Sequence, residues 1–154
     1  MASLLETLET TCASLSVKCS FRVADLDEAN AVIFDNLKDF PVCLILPFDI
    51  PDTDRAHAVI NSEAEVNALF LDKINQVTID LPFTEIDRKV ITPMRALTRE
   101  FCNRLETTDI INEDGITSCV NRSVHQPLMD CHLYGNWGVI QIKFSEDIAT
   151  HVCE

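Results

Sequence analysis

The chain lacks the short glycine-rich motifs that hold phosphate groups or catalytic nucleophiles. It has three glycines in 154 residues, and none of them belongs to a G-x-G-x-x-G, P-loop or G-x-S-x-G pattern. So few glycines leave little room for turns with positive φ or for loops that cradle phosphates. The sequence therefore gives no support to a nucleotide-binding fold or a serine hydrolase.

Basic residues are also scarce. Twelve lysines and arginines stand against 25 acidic residues, which gives a net charge of −13 at pH 7. A surface this acidic repels phosphate backbones, so duplex DNA is not expected as a tight ligand. Two interpretations of the acidity remain open. It keeps the protein soluble, or it provides a surface past which nucleic acid slides without sticking.

The seven cysteines lack the spacing of a disulfide framework or a zinc ribbon. Their number is odd, no Cys-x-x-Cys occurs, and Cys43 lies in the apolar run 42–46, where cysteine behaves as a small hydrophobe. Glu6 and Glu9 interrupt the first fifteen residues, so no signal peptide is expected. We therefore predict reduced thiols in a cytosolic setting. No apolar run reaches the roughly 18 residues that a membrane span needs.

One group of cysteines and histidines deserves comparison with a metal site. Cys131-His132 and His151-x-Cys153 together offer four ligands, enough for tetrahedral zinc. Their spacing matches neither a finger nor a ribbon, and neighbouring residues of a strand point to opposite faces. We expect no metal and no cofactor.

Catalytic side chains are equally hard to assign. A cysteine nucleophile could pair with His125 or His132, but no glycine stretch that could form an oxyanion hole accompanies either. Asp49, Asp52 and Asp54 could hold a hard cation, yet their segment lacks the glycine and glutamate of an EF-hand, so a solvated acidic loop is favoured. We expect no catalytic residue.

The first half of the chain predicts two helices and two strands. A capping box of Ser3 and Glu6 begins a helix over 3–15, and apolar alternation predicts a strand over 19–23. Asp25 caps a second helix, whose predicted buried stripe is Ala29, Val32, Ile33 and Leu37. The run 42–46 predicts a strand buried on both faces, and 48–55 is predicted to be a loop.

The second half predicts one long helix among strands. Residues 57–74 fit either a helix or strands, and we favour strands at 57–60 and 66–73. A helix is predicted over 84–106, where Pro93 either kinks it or follows a new N-cap at Thr92. A turn is predicted at 107–115 and strands near 116–124 and 137–144. Gly135 to Gly138 reads as a turn that leads into the last strand, with Trp137 on its less buried side.

These elements predict a single α+β domain over residues 1–154. We expect a mixed or antiparallel sheet of about four to six strands, packed against one long helix and two shorter helices.

Three stretches carry a resemblance to the small neck and tail-terminator ring proteins of tailed bacteriophages, and of crAss-like phages in particular. Residues 40–47, FPVCLILP, look like the strand that follows the second helix in that family. The helix over 84–105 looks like its single long helix. Residues 135–142, GNWGVIQI, are similar to its closing strand.

The resemblance implies a virion structural protein, made in the host cytoplasm, whose copies form a ring at the head–tail junction. DNA would pass through the ring without specific binding, and neighbouring virion proteins would be the partners. Such proteins have no catalytic residues to carry over. Tyr134, Trp137, Phe48 and Asp52 are the candidate partner contacts, because aromatic rings are favoured interface anchors and the loop after 47 is a docking candidate.

Two other functions remain open. The acidity also fits an adaptor or inhibitor that binds a basic protein, and the cysteines also fit a small thiol-dependent hydrolase.

Overall fold

A computed structural model of the protein describes residues 3–29, 41–49, 52–56, 59–73, 82–128 and 133–147. The elements in chain order are α1 (Leu4–Ala13), β1 (Ser20–Val23), α2 (Leu26–Glu28), β2 (Val42–Ile45), β3 (Asp52–Ala56), β4 (Val59–Lys73), α3 (Phe83–Ile86), a π-helical turn (Asp87–Ile91), α4 (Thr92–Leu105), β5 (Ile111–Leu128) and β6 (Leu133–Asp147).

The two predicted N-caps are confirmed. The Ser3 hydroxyl accepts a hydrogen bond from the Glu6 amide at 3.2 Å, and the Asp25 carboxylate accepts one from the Glu28 amide at 2.7 Å. Each side chain thus satisfies a backbone donor that has no partner within its own helix. Ala29 of the predicted stripe is fully buried, whereas the stripe's other three residues lie outside the described residues.

The strands form one six-stranded mixed sheet of order β1-β2-β4-β6-β5, with β3 paired to β4. β1 runs parallel to β2, and the other pairs are antiparallel. β4 and β6 pair along their whole lengths, from Val59 opposite Asp147 to Lys73 opposite Leu133. The predicted α+β class is confirmed, and β2 is buried on both faces as its uninterrupted apolar run indicates.

The prediction of a loop over 48–55 was wrong in its second half. Residues 46–49 are irregular, but β3 begins at Asp52 and pairs with residues 59–62 of β4. The polar sequence of β3 shows no apolar alternation, so its own residues do not predict a strand. Backbone pairing with β4 holds the segment extended. The strand interpretation of the next segment is confirmed over 59–73, whereas residues 57, 58 and 74 lie outside the described residues. The break predicted at 61–65 is absent from the continuous β4.

Two predicted turns lie partly or wholly inside strands. The turn predicted at 107–115 is confirmed over 107–110, but β5 begins at Ile111. Between Ile111 and Ile116, β5 advances five positions while β6 advances two, so the rest of the predicted turn is a bulge in a strand. Gly135 lies within β6 at φ 157°, where a Cβ atom would collide with the carbonyl oxygen of Phe70. The glycine therefore permits a close approach of β6 to β4 and does not form a turn.

The long helical segment covers 23 residues and contains a widened turn. The Thr92 amide donates to the carbonyl of Asp87, five residues back, as in a π-helix. Ile91 precedes α4 in helical geometry, so of the two alternatives for Pro93, the new N-cap at Thr92 does not occur. Pro93 lacks a backbone donor and crowds the carbonyl four residues earlier. A wider turn just before it relieves that crowding while the helix continues.

The two faces of the sheet are packed differently. On the helix-covered face, α1, the π-helical turn and α4 lie over alternate strand residues, which include Cys43, Ile45, Val66, Phe70, Ile140, Ile142 and Phe144. Phe70 and Phe101 meet there edge to face, with ring centroids 5.6 Å apart. The opposite face, called the outer face below, has a smaller cluster built on Val42, Leu44, Leu69, Leu71 and Leu133.

Hydrogen bonds also connect the end of α1 to α4. The backbone amide and hydroxyl of Ser16, just after α1, donate to the carboxylate of Glu100 on α4 at 2.8 and 2.6 Å. None of the described helices is long and apolar enough to cross a membrane.

Candidate functional site

The four candidate partner contacts lie at separate places. Tyr134 is 6% exposed on the helix-covered face, and Phe48 is half-buried against the same core. Trp137 lies on the outer face. Asp52 begins β3 opposite Ser62 of β4. The structure therefore does not bring the four residues together, and Tyr134 has little surface left for a partner.

Trp137 occupies the boundary of the outer-face cluster. Its ring packs beside that cluster, and its indole N–H donates to the Asn67 side-chain oxygen at 2.9 Å. Leu69 lies directly opposite it on β4. The less buried position predicted for Trp137 is confirmed, because Ile140, Ile142 and Phe144 of the other face are fully buried.

Beyond Trp137 the outer face becomes polar and accessible. Gln141 of β6 donates to Glu65 of β4 at 3.0 Å across the strands, and Lys143 is exposed. Val120 of β5 lies opposite Val139 and is 52% exposed, although it is apolar. We call the surface formed by Glu65, Val139, Gln141, Val120 and Arg122 the outer patch. It combines an apolar centre with polar neighbours, as docking surfaces do.

β5 forms one end of the sheet. Among the described strands it pairs only with β6, although it is 18 residues long. An edge of this length presents backbone donors and acceptors to another strand. Its register shifts near Ile116 and near Val124 limit the regular part to about the middle of the strand, where Val120 lies.

Beneath α4, a small polar cluster joins the helix to the sheet. The Asn136 amide, fully buried, donates to the Thr98 hydroxyl and the Asn121 side-chain oxygen, both at 2.9 Å. The Thr98 hydroxyl donates in turn to the Met94 carbonyl at 2.9 Å. A Cβ on Gly138 would lie 2.9 Å from the Thr98 methyl, so this glycine lets the helix approach closely.

A second contact lies beside this cluster. The Arg95 guanidinium donates to the Ser123 hydroxyl at 2.6 Å. Arg95 Nε and Asn136 Oδ1 are buried, and neither hydrogen-bonds to a described residue. Both contacts fix the position of α4 over β5 and β6, which is a structural role.

Two cysteine thiols meet at the same helix–strand junction. The Sγ atoms of Cys102 on α4 and Cys119 on β5 are 3.6 Å apart, with the Cys102 thiol as donor. This hydrogen bond, together with the Arg99 charge, lowers the pKa of Cys119 to about 7 against the opposing effect of burial. The pKa of Cys102 is raised, chiefly by the same hydrogen bond and by burial.

Three other thiols lie near one another under α1. Cys12 interacts with Cys19, which precedes β1, and with Cys43 of β2. The Cys19 hydrogen bond lowers the pKa of Cys12, but the Cys43 hydrogen bond and burial outweigh it and raise this pKa to about 12. The Cys12 hydrogen bond and burial also raise the pKa of Cys19. Cys12 and Cys19 therefore stay protonated at neutral pH.

A groove of about 420 Å³ lies between α1 and the turn after α4. Its lining is rich in hydroxyl groups and comprises Thr7, Thr10, Thr11, Ser14, Arg104, Thr107, Thr108, Asp109 and Ile110. Most of these hydroxyls donate to backbone carbonyls of their own helix or turn. These side chains therefore present mainly hydroxyl oxygens, as hydrogen-bond acceptors, and threonine methyl groups to the groove.

A thiol hydrolase needs a histidine beside the activated thiol. His125 lies on β5, six residues after Cys119. Cys131, His132, His151 and Cys153 lie outside the described residues. Within the described part of the chain, no group of three histidine, cysteine or acidic side chains could hold a metal ion.

Comparison with protein-family models gives no match, and comparison with curated proteins gives none either.

The sequence did not point to the Cys102–Cys119 contact. The two residues are 17 positions apart in the chain, with no motif between them. The helical periodicity does indicate that Cys102 lies near the buried side of its helix, because it follows Phe101 of the apolar stripe. Only the packing of α4 across β5 shows that the two positions meet.

Proposed function

We propose that the chain is a ring-forming structural protein of a tailed-phage particle, located at the head–tail junction. The observation that carries the proposal is the open sheet, which ends on the long edge strand β5 beside the half-exposed Val120. The family resemblance supplies the identity of the ring, and the α+β fold with one long helix is compatible with it.

An open sheet suits a head-to-tail ring. Such a ring needs two different surfaces on each subunit that fit one another. The sheet provides two different ends, β1 at one side and β5 at the other. Docking of the β5 edge and the outer patch onto a different surface of the next subunit would give such a contact, with main-chain bonds and an apolar centre.

The charge of the chain supports the placement around DNA. A net charge of −13 repels the phosphate backbone and lets DNA pass through a channel without binding to its wall. Within the proposal, the polar groups of the chain serve solubility and docking.

The proposal is tested by the assembly state of the purified chain, alone and co-expressed with the neighbouring virion proteins. Light scattering after size exclusion and negative-stain images should show closed rings. Val120→Asp should reduce the ring fraction about tenfold or more, because a charge placed in an apolar contact stays desolvated. Val120→Thr keeps the shape of the side chain and serves as the matched control.

Monomers in every condition, or rings unaffected by Val120→Asp, would contradict the proposal. The salt dependence separates it from an acidic adaptor that binds a basic protein. A complex built on charge should weaken steeply as salt rises, whereas rings with an apolar contact should change little.

A further inference from the structure

The Cys102–Cys119 pair has a geometry that the proposed assembly role does not use. The Sγ atoms are 3.6 Å apart across the α4–β5 junction. A disulfide bond is about 2.05 Å long, so the sulfurs need to approach by about 1.5 Å. Disulfide formation therefore requires rotation of the two side chains or a shift of the helix end by this amount.

The two thiols are also unequal in a way that suits sequential chemistry. Cys119 is half-buried, whereas Cys102 is 8% exposed and is the more enclosed of the two. The Cys102 S–H donates to the Cys119 sulfur, which stabilises a thiolate on Cys119. Neighbouring charges favour the same assignment. The positive Arg99 favours a thiolate on Cys119, and the negative Glu106 disfavours a thiolate on Cys102. Cys119 is thus the nucleophile and Cys102 the thiol that follows it.

We propose that Cys119 and Cys102 form a peroxide-reactive pair, in which Cys119 is oxidised first and Cys102 then closes a disulfide between α4 and β5. The Cys119 thiolate attacks one oxygen of hydrogen peroxide, the O–O bond breaks, and the leaving hydroxide takes a proton to become water. Cys119 is now a sulfenic acid.

The second step uses the neighbouring thiol. The Cys102 sulfur attacks the Cys119 sulfur, the S–O bond breaks, and the hydroxide leaves as water with the proton of Cys102. In total, two thiols lose two electrons and two protons, and one peroxide takes them up to become two waters. The product joins residues 17 positions apart in the chain.

The other described thiols provide an internal comparison. Cys12 and Cys19 also lie together, but no arginine is among the causes that set the pKa of either thiol. Glu9 adds repulsion at Cys12, and Glu100 adds repulsion at Cys19. Cys19 is half-buried like Cys119. Cys19 should therefore react more slowly than Cys119, although both are half-buried.

The test treats the full chain with hydrogen peroxide at pH 7, blocks the remaining thiols and maps the peptides by mass. We expect a linked pair of peptides containing Cys102 and Cys119, formed roughly tenfold or more faster than oxidation at Cys19. The linked protein should melt roughly 5–10 °C higher, and a reducing agent should reverse this shift.

Variants separate the two roles. In Cys102→Ser, a sulfenic-acid probe such as dimedone should label Cys119 and no disulfide should form. In Cys119→Ser, Cys102 should remain a thiol. The matched control is Cys19→Ser, in which the Cys102–Cys119 disulfide should form as it does in the unaltered chain. If a variant does not fold, the unaltered chain still decides through the pH dependence of iodoacetamide labelling. The labelling rate of Cys119 should reach half its maximum near pH 7, and that of Cys19 only at far higher pH.

Three results would overturn the inference. These are oxidation of Cys19 at the same rate as Cys119, a disulfide that joins other cysteines first, and labelling of Cys119 that rises only above about pH 9, as for an ordinary thiol.

Discussion

The helix-covered face and the outer face of the sheet differ in how far their buried apolar side chains extend. On the helix-covered face, apolar residues continue along β4 and β6 to Phe144, under α1 and α4. On the outer face, the apolar cluster around Leu44 and Leu69 gives way beyond Trp137 to the outer patch. The difference indicates that one face holds the fold together, whereas the far end of the other is available for contacts.

The largest expected effect comes from removing an aromatic ring on the helix-covered face. Phe101 is fully buried and packs edge to face on Phe70. Phe101→Ala should lower the free energy of unfolding by about 3–5 kcal/mol, because lost burial and a cavity add together. Urea denaturation followed by circular dichroism measures the change.

The matched substitution on the outer face is Val120→Ala. At 52% exposure, Val120 should change the unfolding free energy of the single chain by less than about 0.5 kcal/mol. Equal losses for Phe101→Ala and Val120→Ala would break the distinction between the two faces.

A smaller effect is expected at the polar contacts. Asn136→Ala removes a fully buried amide and leaves the Asn121 oxygen with one donor fewer, which should cost about 1–3 kcal/mol. Asn67→Ala on the outer face should cost about 1 kcal/mol or less, because water can replace Asn67 as partner of the half-buried Trp137 indole. Denaturation curves should rank Asn136→Ala as the more harmful change, and the reverse order would count against the comparison.

The smallest effect concerns the contact between Ser16 and Glu100. The Ser16 hydroxyl and amide, helped by the Arg104 charge, hold the pKa of Glu100 below its ordinary value of 4.5. Because the folded-state pKa is the lower one, the contact stabilises the fold above pH 4.5, and this contribution is lost as the pH falls through the folded-state pKa. The site is near solvent, so the contribution should stay below about 1 kcal/mol.

Glu100→Gln should remove this part of the acid sensitivity. Glu9 is an exposed residue of α1. Glu9→Gln removes the same charge without this contact and is the control. Melting temperatures between pH 3 and 7 should show a shallower decline for Glu100→Gln than for Glu9→Gln. Parallel curves would mean that the contact contributes nothing measurable.

Local signals in the sequence were sufficient for some elements and insufficient for others. Ser3 and Asp25 identify helix starts because a cap depends on residues only three positions away. The run 42–46 identifies a buried strand for a similar reason. β3 could not be found in this way, because its pairing with β4 comes from the partner strand and not from its own residues.

The candidate sites depend even more on distant contacts. Trp137 was placed on the correct face by alternation alone, but Tyr134 is covered by the helices and Gly135 is explained only by the nearby Phe70 carbonyl. The Cys102–Cys119 pair requires the crossing of α4 over β5. Such contacts follow from the packed fold, which single-sequence patterns do not specify.

The widened turn before Pro93 has a consequence for the rotation of the long helix. Each residue of an α-helix advances the side-chain direction by about 100°, and a π-helical turn uses roughly one residue more than an α-helical one to complete a revolution. Ile86 lies eight residues before Met94. If every residue between them turned by the ordinary angle of about 100°, the Ile86 side chain would point about 80° away from the direction of Met94 and would miss the core. The slower winding between Asp87 and Ile91 turns it back, and Ile86 is 6% exposed in the same core as Met94. The helix thus absorbs the equivalent of a one-residue insertion without losing the alignment of its ends.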